Sequence, residues 1–226
     1  MEYGALIDNI LFEVYGDTVP PVSVGNYLHG SEGKIADIRK QIQEENNLWF
    51  MESSDTITLV NADATYDLDI DIKKEINIWY QDENNVRYPL SKILPGQLET
   101  LQIASSENPK FYYIDWNPTS SLRQITLYPT PIITAPATRT LHIKCYRYLA
   151  NLSDVDVTFD TTEDIMSIEA PWLLIYAVAA DLLQSHEEYD RMQVLQGMAS
   201  QQLQRLRNLM NVRASANYPK TPYKGL

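Results

Sequence analysis

The hydrophobic period of this chain changes twice. It is helical before about residue 50, alternating from residue 55, and helical again from about residue 170. Few architectures satisfy both changes. Near the start, Leu6, Ile7, Ile10, Leu11 and Val14 recur at helical spacing over residues 3–15. Gly16 and Pro20–Pro21 end that helix, because glycine permits a sharp exit and proline resists helix. The pattern predicts a second helix over about Val22–Glu45. Its stripe is Ile35, Ile38 and Ile42, with Arg39, Lys40, Gln43 and Glu44 outward. Gly30 and Gly33 weaken its first half, so a start at Ser31 also fits. Trp49 and Phe50 are placed to anchor its end to the core.

From Asp55 the period is two. "DTITLV" puts Ile57 and Leu59 on one face, and "YDLDIDI" sets Leu68, Ile70 and Ile72 against Asp67, Asp69 and Asp71. "KEINIWY" sets Ile76 and Ile78 against Asn77 and Trp79. "RTLHIKCYRYL" sets Leu141, Ile143 and Cys145 against His142, Lys144 and Tyr146. These patterns predict about six to eight half-buried antiparallel strands. "QDENN" reads as a turn, and "NPKFYYIDWNPTSS" as a strand bracketed by Asn-Pro turns. The unit "ITLYPTPIITAPATRTLHIKCYRYL" reads as a hairpin stiffened by Pro129, Pro131 and Pro136. Those prolines remove amide donors and limit uncontrolled edge pairing.

An acidic connector, "DTTEDIMSIEAP", leads back to helix, with Pro171 suited to a first helical position and Glu163, Asp164 and Glu169 near the positive helix start. Trp172, Ile175, Ala179, Leu182, His186 and Tyr189 step by helical strides and predict a buried seam. Val194, Met198, Leu203, Leu206 and Met210 carry a second stretch, with Gly197 a weak point. The expected fold class is α+β: a helical bundle from the N- and C-terminal helices with an inserted antiparallel β lobe. Its divisions are residues 1–54 and 160–210 for the bundle, 55–159 for the lobe and 211–226 for a C-terminal arm.

Charge narrows the function. The chain has a net charge of −12, and such a surface does not wrap nucleic acid or lie on an anionic membrane. DNA can pass close by without being gripped. The tail "NVRASANYPKTPYKGL" carries Arg213, Lys220 and Lys224 and no acid, so the body before it stands at −15. A basic, proline-bearing, aromatic tail on an acidic body is a candidate docking arm. Its residues are Arg213, Tyr218, Pro219, Lys220, Pro222, Tyr223 and Lys224. The single cysteine, Cys145, permits no internal disulfide and fits a reducing compartment. The start "MEYGALIDNILFEVYG" lacks a basic n-region and does not read as a signal peptide. The longest apolar run, "APWLLIYAVAADLL", is too short for a bilayer core of roughly 30 Å.

No motif carries catalysis. The three histidines, His29, His142 and His186, fall in separate elements, and there is no G-x-S-x-G or phosphate-binding loop. "HEEYD" at 186–190 resembles half of a zinc-protease motif, but Asp190 stands where the second imidazole belongs. Asp67, Asp69 and Asp71 read as a solvated strand face, because Ca²⁺ needs a curled loop with six to eight oxygens. No cofactor is expected.

The order of segments adds to this. "GKIADIRKQIQEENNLWFMESSDTITLV", then "FYYIDW" and "ITLYPTP", then "YRYL", then "EAPWLLIYAVAADLLQSHEEYDRMQVLQGMASQQLQRL" resembles the head-to-tail adaptors of tailed bacteriophages. These are the connector, gatekeeper or tail tubular A-like proteins. The resemblance covers about Gly33 to Leu209, most of it in Gln41–Leu59 and Ala170–Leu206. It implies a structural, non-enzymatic virion protein, assembled in the host cytoplasm. It implies a homo-oligomeric ring, most often dodecameric, between the portal protein and a tail (nozzle or tube) protein. Genomic DNA would pass through without specific binding, no membrane would be involved, and the C-terminal arm would extend onto the portal. The alternatives are a tail-tube or head-completion protein, or a peptidoglycan hydrolase of the virion, for which no residues can be assigned.

Overall fold

A computed structural model describes residues 3–16, 24, 28, 33–100, 108–134, 137–149 and 165–217. The fold is mixed α+β. The chain forms two compact units, Met1–Phe50 with Ala150–Leu226, and Met51–Leu149.

The first unit is helical: α1 (Tyr3–Tyr15), α2 (Lys34–Glu45), α3 (Ile165–Glu169), α4 (Pro171–Ser185) and α5 (Tyr189–Asn217). Helices α1, α2, α3 and α5 all pack against α4. The sequence of α4, "PWLLIYAVAADLLQS", explains why. Asp181 is its only charged residue, and a helix apolar almost all round must be covered on most sides. Leu173, Leu174, Ile175, Val178, Ala179, Ala180, Leu182 and Leu183 are buried, and Pro171 sits at the helix start, where its missing amide costs nothing.

The expected seam of α4 is half right. Ile175, Ala179 and Leu182 are buried, but Trp172 is 42% exposed. It stacks on Tyr176 at a centroid distance of 5.7 Å instead of entering the core. Trp172→Ala should therefore lower stability by about 1 kcal/mol or less, against about 3–5 kcal/mol for a fully buried aromatic. A thermal melt checks this, and a drop of the larger size would mean that Trp172 is covered in solution.

Helix α2 starts at Lys34 with Gly33 as its cap, and Val24 and Leu28 are also helical, Leu28 fully buried. Arg39 and Gln43 lie inside with Ile35 and Ile42 rather than facing water. Helix α5 runs unbroken through Gly197. It buries Leu195 and Leu206, while Val194 and Met198, expected on the inner face, are exposed. It also continues to Asn217, so residues 211–217, expected to be extended, are helical.

Among its described residues the second unit has eight strands: β1 (Glu52–Thr58), β2 (Thr65–Asp67), β3 (Ile72–Gln81), β4 (Arg87–Pro89), β5 (Ser91–Lys92), β6 (Phe111–Asn117), β7 (Leu122–Tyr128) and β8 (Thr140–Arg147). They form two sheets, ordered β1-β8-β3-β4 and β2-β7-β6-β5. All pairings are antiparallel except β5 with β6, which is parallel. One core joins their inner faces: Tyr66, Leu68, Tyr112, Ile125 and Leu127 from one sheet's strands and their ends, and Ile78, Tyr80, Leu141, Ile143 and Cys145 from the other.

The hairpin expected across Pro129–Pro136 does not exist. β7 and β8 belong to different sheets, and the proline segment crosses between them. Within its described part, Ile133 N–H donates to Asn61 Oδ1 at 2.8 Å, and Ala62 N–H donates to the Pro131 carbonyl at 3.1 Å. The aspartate ladder also differs. β2 stops at Asp67 and β3 starts at Ile72, so residues 69–71 make a turn that leaves Ile70 84% exposed. In β3 a register shift between Glu75 and Asn77 throws Ile76 outward while Ile78 and Tyr80 stay inside. His142, Lys144 and Tyr146 take the outer face of β8, as their alternation with Leu141, Ile143 and Cys145 requires.

Candidate assembly surfaces

The sequence placed function in the C-terminal arm. Arg213 lies in the backbone of α5, and Tyr218, Pro219, Lys220, Pro222, Tyr223 and Lys224 lie outside the described residues. The helix that leads to them is held firmly. The α4–α5 corner is tied to the end of α1, where Tyr15 Oη and His186 Nε2 lie 2.9 Å apart. Arg191 donates to the Glu13 and Val14 carbonyls at 2.8 and 3.0 Å, and to Glu188 Oε2 at 2.7 Å. A cation on the free carbonyls at a helix C-terminus also meets the negative end of its dipole. Further along α5, Arg207 donates to the Asn46 side-chain oxygen at 2.7 Å, and Asn46 in turn donates to the Ile42 carbonyl. Lys34 pairs with Asp181 at 3.0 Å and links α2 to α4.

"HEEYD" is thus a helix–helix corner. His186 ends α4, Glu187 adopts a left-handed φ of 62°, and α5 begins at Tyr189. Residues 186 and 190 do not share one helical face, as a zinc pair would need. Among the described residues no group of three His, Cys, Asp or Glu side chains could hold a metal ion.

In the β unit the polar groups close on one another. Arg147 donates twice to Asp71 at 3.0 and 3.1 Å and once to Asp69 at 3.0 Å, and it pairs with Asp55 at 3.2 Å. Of the three aspartates read as a solvated face, Asp69 and Asp71 are therefore partners of one guanidinium, while Asp67 accepts from the Asn117 side-chain amide at 3.0 Å. Arg139, 6% exposed, pairs with Glu83 at 2.8 Å and caps the Ile132 carbonyl. Cys145 is fully buried, and burial pushes its thiol pKa up, so it is no nucleophile at neutral pH.

Glu75 joins the two sheets. Its carboxylate meets Lys92 and accepts from Arg123 at 3.0 Å, and Arg123 also donates to the Ile72 and Lys73 carbonyls. Burial alone would raise the Glu75 pKa, but Lys92 and Arg123 together hold it below the ordinary carboxylate value. A folded-state pKa below the unfolded one contributes stability above the unfolded value. That stability is lost as pH falls through the folded value. The melting temperature of the β unit should therefore fall on acidification below about pH 4, the ordinary glutamate range. In Glu75→Gln that part of the pH dependence should vanish. Parallel pH-melting curves for the two proteins would refute Glu75's role.

The family model of the SU10 adaptor protein matches residues 1–223. The chain belongs to the SU10 adaptor family. This is a family of phage head–tail adaptors, so the protein is a structural adaptor of a bacteriophage particle. No curated protein matches the sequence. In an adaptor the candidate sites are surfaces, and the helical unit exposes apolar side chains at Phe12 on α1, Ile165 and Ile168 on α3, Trp172 on α4, and Val194, Met198 and Leu209 on α5. Sequence reading missed these as surfaces because it counted Trp172, Val194 and Met198 as core. The signal available was that α5 is apolar on two faces. No helix among the described residues is long and apolar enough to cross a membrane.

Proposed function

We propose that this SU10 adaptor assembles into a closed dodecameric ring between the portal vertex of the head and the tail. Helices of residues 1–54 and 160–210 pack as bundles side by side around the bore. The lobe, residues 55–159, projects towards the tail or onto neighbours. The arm begins as the last turns of α5 and continues through residues 218–226 onto the portal, with Tyr218 and Tyr223 as anchors and Lys220 and Lys224 meeting acids. The genome passes through the bore during ejection.

The observation that supports this reading is the family match over residues 1–223 of a 226-residue chain. The charge agrees with it. At −12 for the whole chain and −15 for the body before the tail, the surface repels phosphate, which keeps a passing duplex from sticking. Mass photometry tests the ring directly: assembly should give one closed species of defined copy number. In a gel-shift assay at about 0.15 M salt, where the Debye length is about 8 Å, the protein should show no measurable specific affinity for DNA. Submicromolar binding would overturn the passive channel.

A further inference from the structure

Two exposed apolar faces in the helical unit differ in charge. The first runs along α5. Val194 (59% exposed), Met198 (40%), Gln201, Arg205 and Leu209 (52%) follow one another at steps of three or four on one side of the helix. Leu195 and Leu206, about a quarter turn round the helix from this stripe, are buried, so the stripe flanks the covered side of α5. Arg205 has no ion-pair or hydrogen-bond partner among the described residues. The face has no acid because the chain has none after Asp190. Residues 191–226 hold Arg191, Arg205, Arg207, Arg213, Lys220 and Lys224, so against a total of −12 the first 190 residues carry −18.

The second face is formed by α3 and the start of α4. Ile165, Ile168 and Trp172 are 42%, 47% and 42% exposed, and the exposed Glu169 stands beside them. Stacking on Tyr176 fixes the indole in place, so the face presents a rigid aromatic anchor.

We infer that the Val194–Met198–Leu209 face of α5 docks on the Ile165–Ile168–Trp172 face of a second copy of this chain. The occupant is a copy because the two faces are complementary in charge as well as apolar. Two α5 faces set against each other would oppose Arg205 with Arg205 and bring no acid. A contact between two different faces of identical subunits is heterologous, and repeated about a closing axis it makes a ring. The inference rests on the ring reading and adds to it the surfaces that carry the contact.

The test uses two surface variants and their mixture. Met198→Glu spoils the first face and keeps the second, and Trp172→Glu does the reverse. Each alone should keep the wild-type circular dichroism spectrum and run as a single chain of 25.9 kDa. Mixed in equal amounts, the variants should pair once through their intact faces and stop at twice that mass. If Met198→Glu assembles like the wild type, α5 is not the interface, though the ring stands. If only Met198→Glu fails and the mixture does not pair, α5 docks elsewhere and the inference falls. Should Trp172→Glu lose its fold, Ile168→Glu replaces it with the same expected results. A wild-type chain that stays at 25.9 kDa at every concentration and also fails to assemble on portal-bearing heads overturns the ring reading and this surface together, whereas one that assembles only on heads moves the same comparison of variants there.

Discussion

Tyr80→Ala should cost the β unit about 3–5 kcal/mol, the range for truncating a large buried aromatic. Tyr80 is fully buried in β3, in the core shared by both sheets. Its hydroxyl donates to Asn108 Oδ1 at 3.0 Å, and the Arg139 guanidinium lies 6.0 Å from its ring centroid. Burial, the largest influence, pushes its pKa up to about 12, so the hydroxyl stays protonated as a donor across the working pH range. Removing the ring leaves a cavity, takes the donor from Asn108 and uncovers one side of a buried cation. A domain of ordinary stability has roughly 5–15 kcal/mol in all, so the variant should be marginal at 37 °C. Tyr80→Phe keeps the ring and loses only the hydroxyl, and should cost about 1 kcal/mol. Equal losses in urea titrations of the two variants would show that the hydrogen bond, and not the packing, is what matters.

The strand content of this unit was legible because alternation along a half-buried strand survives in sequence: Leu141, Ile143 and Cys145 alternate with His142, Lys144 and Tyr146 as they do in β8. Strand partnership was not legible. β7 and β8 are neighbours in sequence with prolines between them, which suggested a hairpin, but hydrogen bonding is settled by the whole sandwich. β8 pairs with β1 and β3, far away in the chain. The register shift at Glu75–Asn77 leaves no mark in the pattern, so Ile76 was assigned to the wrong side. Helices were legible as helices, but their faces less so. In α4 nearly every residue is apolar, so any stride of three and four yields a seam, and Trp172 happens to lie on one. In α5 two apolar stripes are present, and only the packing tells the covered one from the exposed one. The charge of the C-terminal segment was legible from composition alone, since it depends on no contact.

Removing residues 218–226 should leave a folded subunit that no longer joins portal-bearing heads. The cut falls after Asn217, where α5 ends, so the helix is kept whole. The contacts that hold α5 lie well before it: Leu195 and Leu206 in the core, Arg191 on the end of α1, and Arg207 on Asn46. The melting temperature should therefore stay at the wild-type value. What is lost is "YPKTPYKGL", with two tyrosines to fill pockets, two lysines to meet acids, and Pro219 and Pro222 to pre-extend the chain. Prolines restrict the free segment, so less conformational entropy is lost when it binds. Charge should contribute mainly through encounter rate and salt dependence, tyrosine burial through residence time. Lys220→Glu with Lys224→Glu should accordingly weaken attachment and remove its sensitivity to salt. Tyr218→Ala with Tyr223→Ala should weaken it at every salt concentration. Occupancy on purified heads, counted by electron microscopy, decides between these outcomes. If the truncated subunit attaches at wild-type occupancy, the arm is not the docking element, and the portal contact must lie on the helical unit.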